Sequence, residues 1–126
     1  MKQENIRKKC SDLVQERFQD RIKDILITDE KNDNYIEGLC FDYVRPKTWP
    51  DQLEGYWRWQ LSWGGPGDEF RIFVNPDKSV HRIEYWYLDW FDSASVTLDP
   101  KLHCDAWGRL SEIYGWRPIL GLGTAA

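Results

Sequence analysis

The chain reads as a single α+β domain over residues 1–126: a long N-terminal helix, an antiparallel sheet of three to four strands, and a shorter C-terminal helix. Three observations predict it. Apolar residues recur every three or four positions up to Ile27, the period switches to two after Gly55, and a capped helical pattern returns after Asp99. A length of 126 residues suits one domain with one core.

In the first segment, Ile6, Cys10, Leu13, Val14, Phe18, Ile22, Ile25 and Leu26 make one apolar stripe between Gln3 and Ile27, as an amphipathic helix requires. Such a helix would run roughly 35 Å. That exceeds what a small sheet needs as cover, so part of the stripe is expected to meet a second protomer, as in a homodimer, or another partner. On the same helix Asp12, Glu16, Asp20 and Asp24 recur every four residues, about 6 Å apart along the axis. Phosphates along a nucleic-acid strand have a comparable spacing, so this stripe is a candidate acidic contact that imitates nucleic acid toward a basic protein groove. The plainer reading is a solvated face, with Arg17, Arg21 and Lys23 pairing with those acids.

The stretch "TDEKNDNYIEG" is polar and turn-like. "LCFDYVRPKTWPDQLEG" continues as an irregular connector with Pro46 and Pro50, in which Leu39, Phe41 and Tyr43 alternate as a short strand would. After Gly55, "YWRWQLSW" sets Trp57, Trp59, Leu61 and Trp63 on one face and Tyr56, Arg58, Gln60 and Ser62 on the other, a half-buried strand. "EFRIFV" sets Phe70, Ile72 and Val74 against Arg71 and Phe73, and "NPDKS" turns the chain into "VHRIEYWYLDW". The hairpin expected is Glu69–Val74 with Val80–Trp90, and "SVTL" offers a further strand. A second helix is expected from Pro100 to Tyr114, with Asp99 as its cap, Leu102, Ala106, Leu110 and Ile113 on its apolar side, and Gly115 at its end.

Between the first two strands of this set lies "WGGPGDEF". A glycine-rich loop cradles phosphate when a helix N-terminus follows it. Here a strand follows, no Lys-Ser/Thr is present, and Asp68 and Glu69 would repel a phosphate. The loop is therefore expected to turn the sheet, with Gly64 and Gly65 at positive φ.

The chemistry-bearing residues form few constellations. Asp68 and Asp89 fall at the same end of the sheet, with Glu69, Glu84 and Asp92 near them, and paired carboxylates can bind a divalent ion or perform acid/base work. No nuclease pattern surrounds them. "HCD" at His103 is not metal spacing on a helix, since adjacent residues point about 100° apart. His81 has no nucleophile pattern beside it. Three widely spaced cysteines, Cys10, Cys40 and Cys104, suggest neither a disulfide framework nor a metal site, and no cofactor is expected.

Charge and composition narrow the partners. The net charge is −4, and the middle of the chain is its acidic part, with seven acidic and three basic side chains over 27–55, which opposes nonspecific nucleic-acid binding. No apolar run is long enough to span a bilayer and the N-terminus has no signal-type apolar core, so no membrane partner and a cytoplasmic location are expected. Eight tryptophans exceed what a core of this size comfortably hides. The sheet face left free by the helices would then carry Tyr56, Arg58, Arg71, Phe73, Arg82, Glu84 and Trp86, the residue types that protein-interface hot spots favour and that also stack single-stranded bases.

"YWRWQLSWGGPGDEFRIF" followed by "IEYWYLDWFDSA" resembles a family of small bacterial and phage- or plasmid-borne proteins with a tryptophan-rich strand, a Gly-Gly-Pro turn and a later Asp-Trp-Phe-Asp. The resemblance covers roughly residues 55–95. It implies a mobile-element setting, and hence a small protein that acts by binding, such as an inhibitor of a host defence system of the anti-CRISPR kind. The expected function is a non-enzymatic protein-binding module. The alternatives are a single-stranded nucleic-acid or nucleotide binder using the sheet aromatics, and a small metal-dependent hydrolase at the Asp68/Asp89 end.

Overall fold

The computed structural model describes residues 9–27, 39–63, 66–77, 79–89 and 92–113. Helix α1 (Cys10–Ile27) is followed by strands β1 (Cys40–Val44), β2 (Tyr56–Ser62), β3 (Gly67–Val74), β4 (Val80–Asp89) and β5 (Asp92–Thr97), then by helix α2 (Pro100–Ile113). The strands form one antiparallel sheet in chain order, β1-β2-β3-β4-β5. The α+β class is as expected, but the sheet has five strands rather than three to four. β1 forms because its aromatic residues gain cross-strand partners: Phe41 and Tyr43 lie with ring centroids 5.3 Å from that of Trp57, and such pairs stabilise a strand whose own pattern is weak. β5 starts at Asp92, ahead of the expected "SVTL".

α1 begins at Cys10, not at Gln3, and two carboxylates account for the boundary. Asp12, in the first turn, accepts a hydrogen bond from the Lys9 backbone N–H at 3.1 Å, as in a capping box. Asp92 accepts from the Cys10 N–H at 2.7 Å. The 18-residue helix is thus roughly 27 Å long. It crosses the strands from β5, at Cys10, to β3, where Arg21 meets Asp68. Cys10, Val14, Phe18, Ile22 and Ile25 are all buried against the chain's own sheet and α2, so the surplus length that suggested a homodimer is absent over these residues. Ile6 lies outside the described residues.

α2 starts where its cap predicts, with Asp99 Oδ1 accepting from the Leu102 N–H at 2.9 Å. Ala106 and Leu110 are buried and Leu102 and Trp107 pack at the edge of the core. Arg109 Nε donates to the Ile25 carbonyl at 3.1 Å and so ties α2 to α1. Both helices lie on one face of the sheet, over Trp59, Leu61, Phe70, Ile72, Ile83, Tyr85 and Tyr87.

Two register shifts shape the sheet. Gln60 pairs with Glu69 but Ser62 pairs with Asp68, so Leu61 is an extra residue in β2. The bulge turns Ser62 from the open face, where strict alternation put it, toward Asp68 on the helix side. A second shift, between Phe73 and Val74, leaves His81 as the extra residue in β4. Gly64, Gly65, Trp90, Tyr114 and Gly115 lie outside the described residues, so the expected positive φ at the two glycines and the expected end of the second helix do too. Among the described residues no helix is long and apolar enough to cross a membrane.

Candidate binding face of the sheet

The face opposite the helices is built from the other side of the same alternation that fills the core. Asp42, Arg58, Arg71, Glu84 and Thr97 form one cross-strand row, and Gln60, Glu69, Trp86 and Ser95 the next. Arg58 and Arg71 stand directly opposite each other, an unfavourable arrangement for like charges unless each is compensated. Both are. Arg58 makes two hydrogen bonds to Asp42, at 3.1 and 2.7 Å. Arg71 Nε donates to Glu69 Oε2 at 2.7 Å, and its guanidinium lies between two rings, 3.9 Å from the Trp86 centroid and 4.8 Å from that of Tyr56.

Arg82 follows the same pattern: it pairs with Glu54 at 2.8 Å and Glu84 at 2.9 Å and rests 3.9 Å from the Phe73 ring centroid. The hydrogen bond from Arg82, opposed by partial burial, holds the Glu54 carboxyl below its usual range. Tyr56, Phe73 and Val44 form a small second core under this layer. Burial pushes the Tyr56 phenol up, so it remains protonated at neutral pH.

A concavity of about 920 Å³ opens over these rows. All seven residues expected on the free face line it, namely Tyr56, Arg58, Arg71, Phe73, Arg82, Glu84 and Trp86. One wall was not foreseen. Residues 45–55, an irregular connector by sequence, fold over the β1–β2 end of the face and supply Trp49 and Leu53, which are 48% and 82% exposed. Gln52 holds this wall together: its side chain accepts from the Trp49 N–H at 3.1 Å and donates to the Arg45 and Glu54 carbonyls at 2.9 and 2.8 Å. Trp49 Nε1 donates to Tyr56 Oη at 3.1 Å, which fixes the indole against the sheet. Lys47 and Asp51 take positive φ, 64° and 65°, a conformation that costs a residue with a Cβ about 1–2 kcal/mol. The signal in the sequence is a Trp between Pro46 and Pro50 and a Leu three residues on, in a polar stretch that lacks any period.

The carboxylates expected to cluster are instead dispersed. Asp68, 5% exposed, sits on the helix side. It accepts from Arg21 Nε and Nη2 at 2.7 and 3.1 Å, from Tyr85 Oη at 2.7 Å, and from Ser62 Oγ. Every one of these is a tie between α1, β2, β3 and β4, which makes Asp68 a structural anchor. Burial and the adjacent Asp68 carboxylate push the Tyr85 phenol far up, so it stays a donor. Glu69 and Glu84 face the opposite side of the sheet, Asp92 caps α1, and Asp89 stands opposite Asp92 in the β4–β5 register. Among the described residues no three His, Cys, Asp or Glu side chains are placed to hold a metal ion. Burial, with Asp92 beside it, raises the Cys10 thiol to about 11, which leaves it no nucleophile. His81 Nε2 lies 3.2 Å from Glu54 Oε2.

The acidic stripe lies where its spacing places it. Asp12, Glu16, Asp20 and Asp24 are each two residues from Cys10, Val14, Phe18 and Ile22, about 200° around the axis, and so point away from the core. Arg21, expected with Arg17 and Lys23 to pair with these acids, is drawn to Asp68 instead. No protein-family model matches this chain, and neither a curated protein nor a solved structure resembles it closely enough to indicate a relative.

Proposed function

We propose that the protein is a non-enzymatic binding module that receives a protein partner on the concave face of its sheet. The observation that carries this reading is the face itself. Trp49, Trp86 and the nearly bare Leu53 border a floor on which each arginine already has its carboxylate, laid over the buried Tyr56 and Phe73 rings. Aromatic and arginine side chains preorganised in this way fit interface hot spots, because little ordering remains to be done when the partner arrives. In the mobile-element setting that the sequence resemblance implies, such a module would act as an inhibitor, by occupying a surface of a host defence protein.

The nucleic-acid alternative fits the face less well. Each arginine there is held by a carboxylate, so a phosphate would have to displace an acid rather than release a counterion. The hydrolase alternative has no candidate metal centre among the described residues, and Asp68 is engaged in the α1–sheet contact.

Capture of partners from host lysate tests the reading when the parent chain is compared with Leu53→Asp and with Glu16→Gln. Leu53→Asp alters an exposed side chain on the wall and should abolish capture of the protein that the parent retains, with the melting temperature unchanged. Glu16→Gln, on the opposite layer, should capture it as the parent does. Retention of the partner by Leu53→Asp, or retention of single-stranded DNA that falls steeply as salt rises, would show another surface or another ligand at work.

A further inference from the structure

We propose that the partner segment seated in this groove presents one large apolar side chain flanked by lysine or arginine, with no carboxylate beside it. This rests on the binding-module reading above and adds the chemistry of the partner. The groove's polar groups decide the matter, because its apolar walls would accept almost any large side chain.

Its cations are spoken for. Arg58 is bound by Asp42, Arg71 by Glu69, and Arg82 by Glu54 and Glu84, at 2.7 to 2.9 Å for the closest contact of each pair. The Arg71–Glu69 pair is also deeply set, with side chains 14% and 4% exposed. A ligand carboxylate would therefore compete with a fixed, desolvated one, and losing that contest costs it its own hydration.

The anions are in surplus. Four carboxylates, Asp51, Glu54, Glu69 and Glu84, line the groove and Asp42 holds Arg58 from beside it, five acids against the three arginines Arg58, Arg71 and Arg82, which leaves two net negative charges. Asp51 stands on the wall beside Leu53 and enters no salt bridge among the described residues.

The rings complete the argument. Both indole N–H groups in the groove are taken internally, Trp49 Nε1 by Tyr56 and Trp86 Nε1 by Glu84 at 2.9 Å. With Arg71 already over one face of Trp86, what these rings still offer is their remaining π surface, which attracts apolar groups and cations and gains nothing from anions. An apolar side chain between the Trp49/Leu53 wall and Trp86, with a basic neighbour over a ring and toward Asp51, satisfies every group left open.

Indole N–H signals of the ¹⁵N-labelled full chain read this directly, with Trp49 and Trp86 assigned from Trp49→Phe and Trp86→Phe. The probes are three blocked tripeptides with a central phenylalanine, flanked by lysines, serines or glutamates, and an oligothymidylate. The lysine peptide should shift both signals with a Kd about threefold or more below that of the serine peptide, and the glutamate peptide should bind more weakly still. Asp51→Asn should remove most of the lysine peptide's advantage, and Leu53→Ser should weaken all three peptides. Equal or tighter binding of the glutamate peptide or of oligothymidylate overturns the proposal, as does the absence of any shift at Trp49 and Trp86. A preference for the acidic peptide would still leave the groove a binding surface, whereas failure of the module reading itself shows in the capture comparison.

Discussion

Asp68→Asn keeps the shape of the side chain and removes the charge to which Arg21, Ser62 and Tyr85 all donate. Because the site is buried, the amide must turn its NH₂ toward a donor and leave the Arg21 guanidinium without its counter-charge. The variant should lose about 2–4 kcal/mol in urea unfolding. Acid unfolding gives an independent reading. Burial raises the Asp68 carboxyl, but the hydrogen bonds from Arg21, Ser62 and Tyr85 outweigh it and hold the folded-state value below the ordinary one. A carboxyl depressed in the folded state takes up its proton more readily when unfolded. Its stabilisation is therefore complete above the unfolded value, near pH 4, and is lost as pH falls through the folded value. The parent's stability should decline more steeply with acid below about pH 4 than that of Asp68→Asn; parallel acid limbs would contradict this role. Arg71 carries the same lesson on the other face. It lies where an exposed contact residue was expected, yet its removal would strand Glu69, which is 3% exposed, so alanine there would report on folding before it reported on binding.

At the scale of elements, the groove depends on the segment between β1 and β2, and that segment depends on Gln52. Gln52→Ala removes three hydrogen bonds and should lower stability by only about 1 kcal/mol, since water can replace them at an exposed site. It should nonetheless release Trp49, seen as faster hydrogen exchange of its indole N–H. Lys47→Gly should do the reverse, raising stability by up to about 1 kcal/mol by relieving a positive φ. A loss of stability in Lys47→Gly would mean that the backbone there is not strained. This segment also marks the limit of what could be read from the sequence. α2 was legible to its cap, because Asp99 and Pro100 act locally, and β2 to β4 were legible because alternation is a local property of the chain. The start of α1 was not, since it is set partly by Asp92, a residue 82 positions away that binds the Cys10 N–H. Nor was the direction of Ser62, which a bulge against β3 decides. The residues of the open face were foreseen because strand parity names them. Trp49 and Leu53 were missed because no period places a loop in space.

For the whole molecule, the arrangement explains why a domain this small carries so many aromatic side chains. Both helices cover one face of a five-stranded sheet, and among the described residues the other face carries the small Val44–Tyr56–Phe73 core with the 45–55 segment above it. The rings left over, with arginines stacked on them, make a surface whose cations are already paired before any partner arrives and whose remaining charge is negative. A partner on this face would meet Leu53 first, while one drawn by charge mimicry would meet Glu16, on the far side of the molecule. Site-specific photocrosslinking in host cells separates the two most directly, with a benzophenone amino acid placed in turn at Leu53 and at Glu16. The account predicts a discrete protein adduct from position 53 and none from position 16. An adduct from position 16 alone would contradict it and place the interface on the acidic stripe of α1.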